Sequence, residues 1–153
     1  MKITPYLHFK DNCEEAFTFY EQALDGKIAM VSRFKDMPLP PEGAEKNEGC
    51  GPGAMDMSSM GEKIMHIRLV VGDAILMGSD TPPVFEHKGK VEGCTIALGF
   101  DTGAEAEKAF NALAKRGKVT MHMAETFWAD RFGMLDDAFG VSWMVNGGEK
   151  AAP

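Results

Sequence analysis

An internal repeat constrains the fold of this chain more than any other feature of its sequence. Shifting the sequence by 91 positions, so that residue 4 falls on residue 95, aligns residues 4–30 with residues 95–121 without a gap. The coinciding pairs include Thr4 and Thr95, Leu7 and Leu98, Phe9 and Phe100, Phe19 and Phe110, Gly26 and Gly117, and Met30 and Met121. Each copy shows apolar alternation, then a helical pattern, then a glycine before another strand. This order predicts a repeated strand, helix, strand unit.

The two helices of the repeat carry start and stop signals. Asn12 and Thr102 are residue types that cap helix N-termini, and glutamates follow both of them. Gly26 and Gly117 follow the apolar stripes, and we expect them to take the left-handed conformation that ends a helix. Ahead of the first helix, period-2 alternation predicts a strand that buries Ile3, Pro5, Leu7 and Phe9 on one face.

Further alternating runs predict three more strands in each half after the first. The Gly72-Asp73 pair between two such runs is typical of a tight hairpin, and a turn at 136–140 separates the last two runs. Each half is therefore predicted to be β-α-β-β-β, and 153 residues are about the length of one domain. We predict an α+β fold in which two βαβββ modules form a curved mixed sheet around a cavity. Module 1 covers about 1–80, module 2 covers about 92–146, and residues 1–153 make a single domain.

The first half is longer than the second because of residues 36–62. This segment contains four prolines and five glycines between two predicted strands. Long connections of that composition are typical of functional lids and binding loops. We expect residues 36–62 to be a lid or an arm that reaches across a dimer.

Composition and charge exclude several classes of protein. Lys and Arg total 16 and Asp and Glu total 23, so the net charge of −7 argues against a nucleic-acid partner. No apolar run approaches the length of a membrane span, and the N-terminus has no signal-peptide pattern, so a cytoplasmic protein without a membrane partner is expected. Cys13, Cys50 and Cys94 are far apart and are predicted to be reduced thiols.

At this level the chain resembles the vicinal-oxygen-chelate superfamily, which includes glyoxalase I, extradiol dioxygenases and bleomycin-binding and fosfomycin-resistance proteins. Several blocks resemble its PhnB-like branch, namely residues 3–9, Asn12-Cys13-Glu14-Glu15-Ala16, Phe19-Tyr20, Met65-His66, residues 76–80, and Trp128 to Trp143. The resemblance implies paired βαβββ modules, a small-molecule ligand and a homodimer. That branch is often labelled a methyltransferase. The chain lacks the glycine-rich strand-to-helix turn that a common methyltransferase needs, so we do not expect that activity.

The resemblance also implies four positions for a catalytic metal. Enzymes of the superfamily place His or Glu on the first and last strands of each module, so that a divalent ion can chelate two substrate oxygens. The repeat transfers these positions to Thr4, Met77, Thr95 and Met144. A threonine hydroxyl is a weak ligand and a thioether is a soft one, so the usual metal is not expected there. A divalent metal remains an alternative, with His8, His66 and Asp80 as displaced ligands.

Two groups of residues are candidates to line the cavity. Tyr6 and His8 alternate with apolar residues on the first strand, and His66 and Arg68 do so on a later one, so all four are expected on the concave side. They would bind an anion or hydrogen-bond across the sheet. Trp128 and Arg131 could clamp a planar or anionic ligand, or Arg131 could pair with Asp137 to fix the hairpin. The full candidate set is Tyr6, His8, His66, Arg68, Met77, Trp128, Arg131 and Met144.

Three functions follow from these observations. The first is a small-molecule-binding protein of the PhnB-like branch that lacks the usual catalytic metal. The second is a metal-dependent, glyoxalase-like lyase or isomerase. The third is a protein that sequesters an antibiotic or metabolite, for which the acidic net charge would suit a cationic guest. The sequence leaves open whether the chain catalyses a reaction.

Overall fold

A computed structural model of the chain describes residues 1–37, 59–83, 85, 87 and 89–150. Most of the predicted lid or arm at 36–62, with Cys50, lies outside these residues. The elements in chain order are β1 (Tyr6–Phe9), α1 (Cys13–Ala23), β2 (Lys27–Arg33), a short 3₁₀ helix (Phe34–Asp36), β3 (Ile64–Val71), β4 (Ala74–Asp80), β5 (Ile96–Phe100), α2 (Gly103–Leu113), β6 (Lys118–Ala124), β7 (Ala129–Asp136) and β8 (Ser142–Glu149). No helix in the described part of the chain is long and apolar enough to cross a membrane.

The strands form two mixed four-stranded sheets, one in each half. Their orders are β1-β4-β3-β2 and β5-β8-β7-β6, which is the same topology twice. The pairs β1-β4 and β5-β8 are parallel, and the remaining pairs are antiparallel. The predicted α+β fold with two βαβββ modules is confirmed. Ile3 and Pro5 lie before β1 and are exposed, so their predicted burial is wrong, whereas Leu7 and Phe9 are buried as predicted.

One continuous core lies between the two modules. Helix α1 contacts α2, and the apolar residues that each sheet turns toward its helix belong to the same buried cluster. That cluster includes Leu7, Phe9, Phe17, Ile67 and Leu69 from module 1 and Phe110, Leu113, Leu135, Trp143 and Val145 from module 2. Both helix-covered faces therefore point into the chain. The opposite face of each sheet, which we call the open face, points outward.

A buried carboxylate joins the two modules. The side chain of Asp137, at the β7-β8 turn, accepts hydrogen bonds from the Tyr20 hydroxyl at 2.6 Å and from Trp143 Nε1 at 2.8 Å. Its other oxygen accepts from the backbone N–H groups of Phe139 and Val141. Burial and the neighbouring Asp137 carboxylate raise the pKa of Tyr20 far above its ordinary value, so its hydroxyl stays a donor. We call the bond between Tyr20 on α1 and Asp137 the inter-module clasp.

The two helices begin by different means. Thr102 and Glu105 form a capping box at α2, as the sequence predicts, with Glu105 N donating to Thr102 Oγ1 at 3.2 Å. The predicted cap at Asn12 is wrong, because its side chain makes no capping bond. Instead Asp80, from the end of β4, accepts from Cys13 N at 3.0 Å and from Ile64 N at 2.9 Å. A residue 67 positions away therefore caps α1.

The glycines after the helices are needed because a side chain would clash there, and they do not adopt the predicted left-handed backbone conformation. Asp25 and Arg116 take the positive φ values, 53° and 64°, one residue earlier than predicted. A Cβ on Gly26 would lie 2.8 Å from Val71 Cγ2, and a Cβ on Gly117 would lie 2.5 Å from a backbone oxygen. Each glycine therefore lets the chain pass close to a neighbouring hairpin as it enters the next strand.

Candidate functional site

The open face of module 1 carries a row of four side chains across its sheet. Tyr6 pairs with Met77, Met77 pairs with Arg68, and Arg68 pairs with Met30, so the four residues are neighbours on one face. Tyr6 is 39% exposed and Met30 is 49% exposed. Arg68 is also exposed and forms no ion pair or hydrogen bond with another described residue. This row is therefore an accessible surface with a positive charge near its centre that no other described residue pairs.

The open face of module 2 repeats the row with different chemistry. Ala97 pairs with Met144, Met144 pairs with Met134, and Met134 pairs with Met121. Met121 is 49% exposed, and a Cβ on Gly99, two residues after Ala97, would meet nothing within 4 Å. The tyrosine and the arginine of module 1 are thus replaced by an alanine and a methionine. The row of module 2 is apolar where the row of module 1 is polar and cationic, and the charged groups Lys118 and Asp136 lie beside it on the same face.

Aromatic and imidazole rings lie beside the module 1 row. The Tyr6 ring centroid is 5.2 Å from that of His8 and 5.7 Å from that of His66. The Tyr6 hydroxyl lies 3.3 Å from His66 Nδ1, and Ser79 Oγ lies 3.5 Å from His8 Nδ1. The structure therefore brings Tyr6, His8, His66, Arg68 and Met77 of the predicted set to one face.

His87, which lies between β4 and β5, hydrogen-bonds to the backbone of the edge strand β1. The Nε2 atom of His87 donates to the backbone oxygen of His8 at 2.7 Å, and the backbone N–H of Gly89 donates to its Nδ1 at 2.9 Å. The position of His87 between Glu86 and Lys88 in the sequence predicts a solvated side chain, but His87 is half-buried and makes these two hydrogen bonds. A cavity of about 450 Å³ beside this contact is lined by Tyr6 and His8 as well as by His87.

The structure does not bring Trp128 and Arg131 together as the predicted clamp for a ligand. Arg131 alternates with Phe132 along β7 and points to the helix side, where its Nε lies 3.6 Å from Glu107 on α2. Trp128 instead stacks edge-on against Phe132 at 5.2 Å and against the 79% exposed Phe127 at 4.6 Å. The alternative pairing of Arg131 with Asp137 is also wrong, because Asp137 is buried in the contact between the modules. Of these two residues, only Trp128 extends the apolar surface of module 2.

The residues at the superfamily's metal positions do not fit a hard divalent ion. Met77 and Met144 lie on the open faces and offer thioether sulfurs. Thr4 lies just before β1 and Thr95 just before β5, and each offers only a neutral hydroxyl. Zn²⁺, Mn²⁺ and Fe²⁺ sites in proteins are built from imidazole, carboxylate or thiolate groups, and none of these four residues supplies one.

The alternative ligand set is not assembled either. Asp80 is 2% exposed and faces the helix side, where both of its oxygens accept backbone N–H groups, whereas His8 and His66 lie on the open face. Within residues 1–37, 59–83, 85, 87 and 89–150, no three His, Cys, Asp or Glu side chains come together as a metal site would require. The role of Asp80 is to start α1.

Two further cavities are present, and the first of them reaches the open-face row of module 2 at Ala97. One of about 510 Å³ lies between the modules and is lined by Thr4, the first half of β4 and both faces of β5. The other, of about 900 Å³, lies at the start of α1, where Glu14 and Arg33 form an ion pair at 2.7 Å. The Arg33 guanidinium holds the pKa of Glu14 below its ordinary value. Neither cavity is lined by His66, Arg68 or Met144.

Four residues of the open-face rows are absent from the set predicted from the sequence. These are Met30, Ala97, Met121 and Met134. The repeat contains the signal for two of them, because the shift of 91 positions places Met30 on Met121. No comparable signal marks Met134, because its counterpart in module 1 is Arg68.

Comparison with known proteins agrees with this architecture. The sequence profile of the Glyoxalase/Bleomycin resistance protein/Dioxygenase superfamily matches residues 2–145. Protein YjdN of Escherichia coli K12 is 33% identical over 146 residues, which are 95% of each chain. The crystal structure of PA1353 from Pseudomonas aeruginosa is 43% identical, with a TM-score of 0.80 over 98% of this chain and 99% of the other. A PhnB protein from Bacillus cereus shares the fold at 23% identity, with a TM-score of 0.69 over 96% and 99% of the two chains. The chain belongs to the Glyoxalase/Bleomycin resistance protein/Dioxygenase superfamily.

Proposed function

We propose that this chain binds a small organic molecule between its open faces, in a cup that a second copy of the chain completes. The open face of module 1 from one copy would oppose the open face of module 2 from its partner. The cup works without a hard divalent metal at the superfamily positions. The observation that carries the proposal is that Met77 and Met144, at two of those positions, lie in the exposed rows of the two open faces.

The orientation of the modules supports the need for a second copy. Because both helix-covered faces contribute to one core, the open faces of one chain point away from each other. Met30 and Met121 are each 49% exposed and Phe127 is 79% exposed. Exposed apolar surface of this kind, spread over sheets that also end in the edge strands β2 and β6, is typical of protein interfaces. In a homodimer, the open face of each module 1 would cover the open face of the partner's module 2, so all four open faces would be covered.

The motif blocks support a finer assignment within the superfamily. Residues 3–20 and Trp128 to Trp143 resemble the PhnB-like branch, and we assign the chain to it. This assignment carries no methyltransferase activity. A metal-dependent lyase would require His8 or His66 to hold an ion together with groups other than Asp80. We place the protein in the cytoplasm, in line with its sequence.

Untagged protein tests the two structural parts of the proposal. We expect the molar mass of two chains by light scattering, and no stoichiometric Zn, Ni, Mn or Fe by elemental analysis. A monomer at micromolar concentration would overturn the shared cup. A stoichiometric metal that is lost from His8→Ala or His66→Ala would overturn the metal-free site and favour the lyase.

A thermal-shift screen of small organic molecules tests binding itself. A ligand that binds only the folded state raises its stability in proportion to the logarithm of ligand concentration over Kd. We expect stabilising compounds to lose their effect in Met144→Trp, which fills the open face of module 2. Lys115→Trp, at an exposed position after α2, is the matched control and should keep the effect. If compounds stabilise both variants equally, the ligand site lies elsewhere.

A further inference from the structure

We infer that the ligand of the open faces is a small organic anion with an apolar or aromatic body. This inference rests on the proposed function and names the class of molecule for the same site. It opposes the expectation from net charge, because a chain of net charge −7 would favour a cationic guest. The local charge on the open face of module 1 has the opposite sign.

The open face of module 1 is cationic despite the acidic chain. Its strand positions, identified by register and burial, are Tyr6 and His8 on β1, Lys27, Met30 and Ser32 on β2, His66, Arg68 and Val70 on β3, and Ile75, Met77 and Ser79 on β4. None of these positions holds a carboxylate. Arg68 is permanently charged, exposed and without an ion pair to another described residue. Its planar guanidinium can donate two parallel hydrogen bonds to a carboxylate or phosphate group.

Neighbouring groups provide a polar setting for the head of an anion. His66 lies two residues before Arg68 on β3 and therefore shares its face. The Tyr6 hydroxyl, 3.3 Å from His66 Nδ1, connects that imidazole to the first strand. Tyr6 and Met30 flank the pair formed by Arg68 and Met77 within the row. A bound anion would thus meet a guanidinium and an imidazole on β3 and a phenol on β1.

The open face of module 2 suits the body of the same molecule. The row Ala97, Met144, Met134 and Met121 is uncharged, and thioether side chains adapt to flat or irregular apolar groups. Ala97 and Gly99 leave β5 without bulky side chains on this face, which provides room for a ligand. The two copies of one row have therefore diverged into a cationic half and an apolar half. An amphiphilic anion is complementary to both halves together.

Nuclear magnetic resonance of protein labelled with ¹³C at the methionine methyl groups tests this class directly. Five methionines, Met30, Met77, Met121, Met134 and Met144, report from the open faces, and their signals can be assigned by single replacement with leucine. The probes are phenylacetate, benzyl alcohol, benzylamine and acetate, which separate the charge from the ring. We expect phenylacetate to shift methyl signals of both rows and to bind about tenfold or more tightly than the other three probes.

Variants of one arginine identify the source of the effect. Arg68→Met should weaken phenylacetate binding about tenfold or more, because it removes a charge-assisted pair, and Arg68→Lys should retain part of the affinity. Arg116→Met is the matched control, since Arg116 is 82% exposed after α2, and it should bind as the unmodified protein does. An unchanged methyl spectrum away from the open faces establishes that Arg68→Met is folded.

The outcomes separate this inference from the proposed function. Equal or tighter binding of benzyl alcohol or benzylamine at the open-face methyl groups would overturn the anionic class and leave the binding site standing. Unchanged phenylacetate affinity in Arg68→Met would do the same. Failure of all four probes to move these signals would also overturn the inferred class. Failure of the proposed function is a separate result, namely a monomeric protein or screening hits unaffected by Met144→Trp.

Discussion

Removing one oxygen atom from the inter-module clasp should measurably destabilise the whole chain. Tyr20 is fully buried, and its hydroxyl donates to Asp137 at 2.6 Å. Tyr20→Phe keeps the ring and its contacts but deletes a hydrogen bond to a charged group, which contributes about 1.5–3 kcal/mol. Asp137 keeps Trp143 Nε1 at 2.8 Å and two backbone donors, so we expect the lower half of that range. A loss of about 2 kcal/mol corresponds to a fall in Tm of roughly 4–8 °C for a chain of this length.

Urea unfolding, followed by tryptophan fluorescence and circular dichroism, measures this loss. Tyr6→Phe is the matched control, because Tyr6 is 39% exposed and its hydroxyl lies 3.3 Å from His66 Nδ1. We expect that control to change the free energy of unfolding by less than about 0.5 kcal/mol. If Tyr20→Phe were equally mild, the clasp would not hold the modules together. The orientation of the open faces, which follows from that core, would then lack its main polar support.

Three other changes test separate parts of the fold. Gly147→Ala should lower the free energy of unfolding in urea by about 1–3 kcal/mol, because its Cβ would lie 2.5 Å from a backbone oxygen at the start of α2. Gly99→Ala is the control and should leave that free energy almost unchanged, since its Cβ would meet no atom within 4 Å. Asp80→Asn leaves an amide NH₂ where a carboxylate oxygen accepts a buried backbone N–H, so unfolding should become easier by about 1–3 kcal/mol, and an unchanged stability would contradict the cap. Burial raises the pKa of Tyr20 and of Cys13 above their ordinary values of 10.0 and 9.0. Their protonated forms therefore contribute fully to stability below those pH values, and the contribution is lost as the pH rises above them. Above pH 10 each group should lower the free energy of unfolding by about 1.4 kcal/mol per pH unit, and Tyr20→Phe should remove its share of that slope.

The fold could be predicted because its signals are local and repeated. Period-2 alternation, helical stripes and a hairpin at Gly72 each indicate their element, and the shift of 91 positions shows that the order occurs twice. The helix termini could be predicted only where the partner is local. Thr102 finds Glu105 three residues away, but α1 begins on Asp80 from the last strand of its module, and no local pattern reveals that contact.

The candidate site could be predicted in part, because alternation fixes the face of a residue but not its partner. Tyr6, His8 and His66 lie on one face, as alternation indicates. The sequence suggests that Arg131 clamps a ligand with Trp128 or pairs with Asp137, but alternation along β7 places Arg131 on the helix side, where its Nε lies 3.6 Å from Glu107 on α2. The pairing of modules in the proposed cup depends on how two chains pack together, and the sequence contains no direct signal for that packing.

Mixing two variants tests the shared cup most directly. Arg68→Met removes the charge from the cationic half of the cup and Met144→Trp fills the apolar half, so each homodimer should bind phenylacetate about tenfold or more weakly than the unmodified protein does. In a mixed dimer, the intact module 1 of the Met144→Trp chain opposes the intact module 2 of the Arg68→Met chain. We predict that mixed dimers, formed by subunit exchange and then isolated, bind one phenylacetate per dimer with the affinity of the unmodified protein. Mixed dimers that bind no more than either homodimer would contradict the claim that two chains build the site.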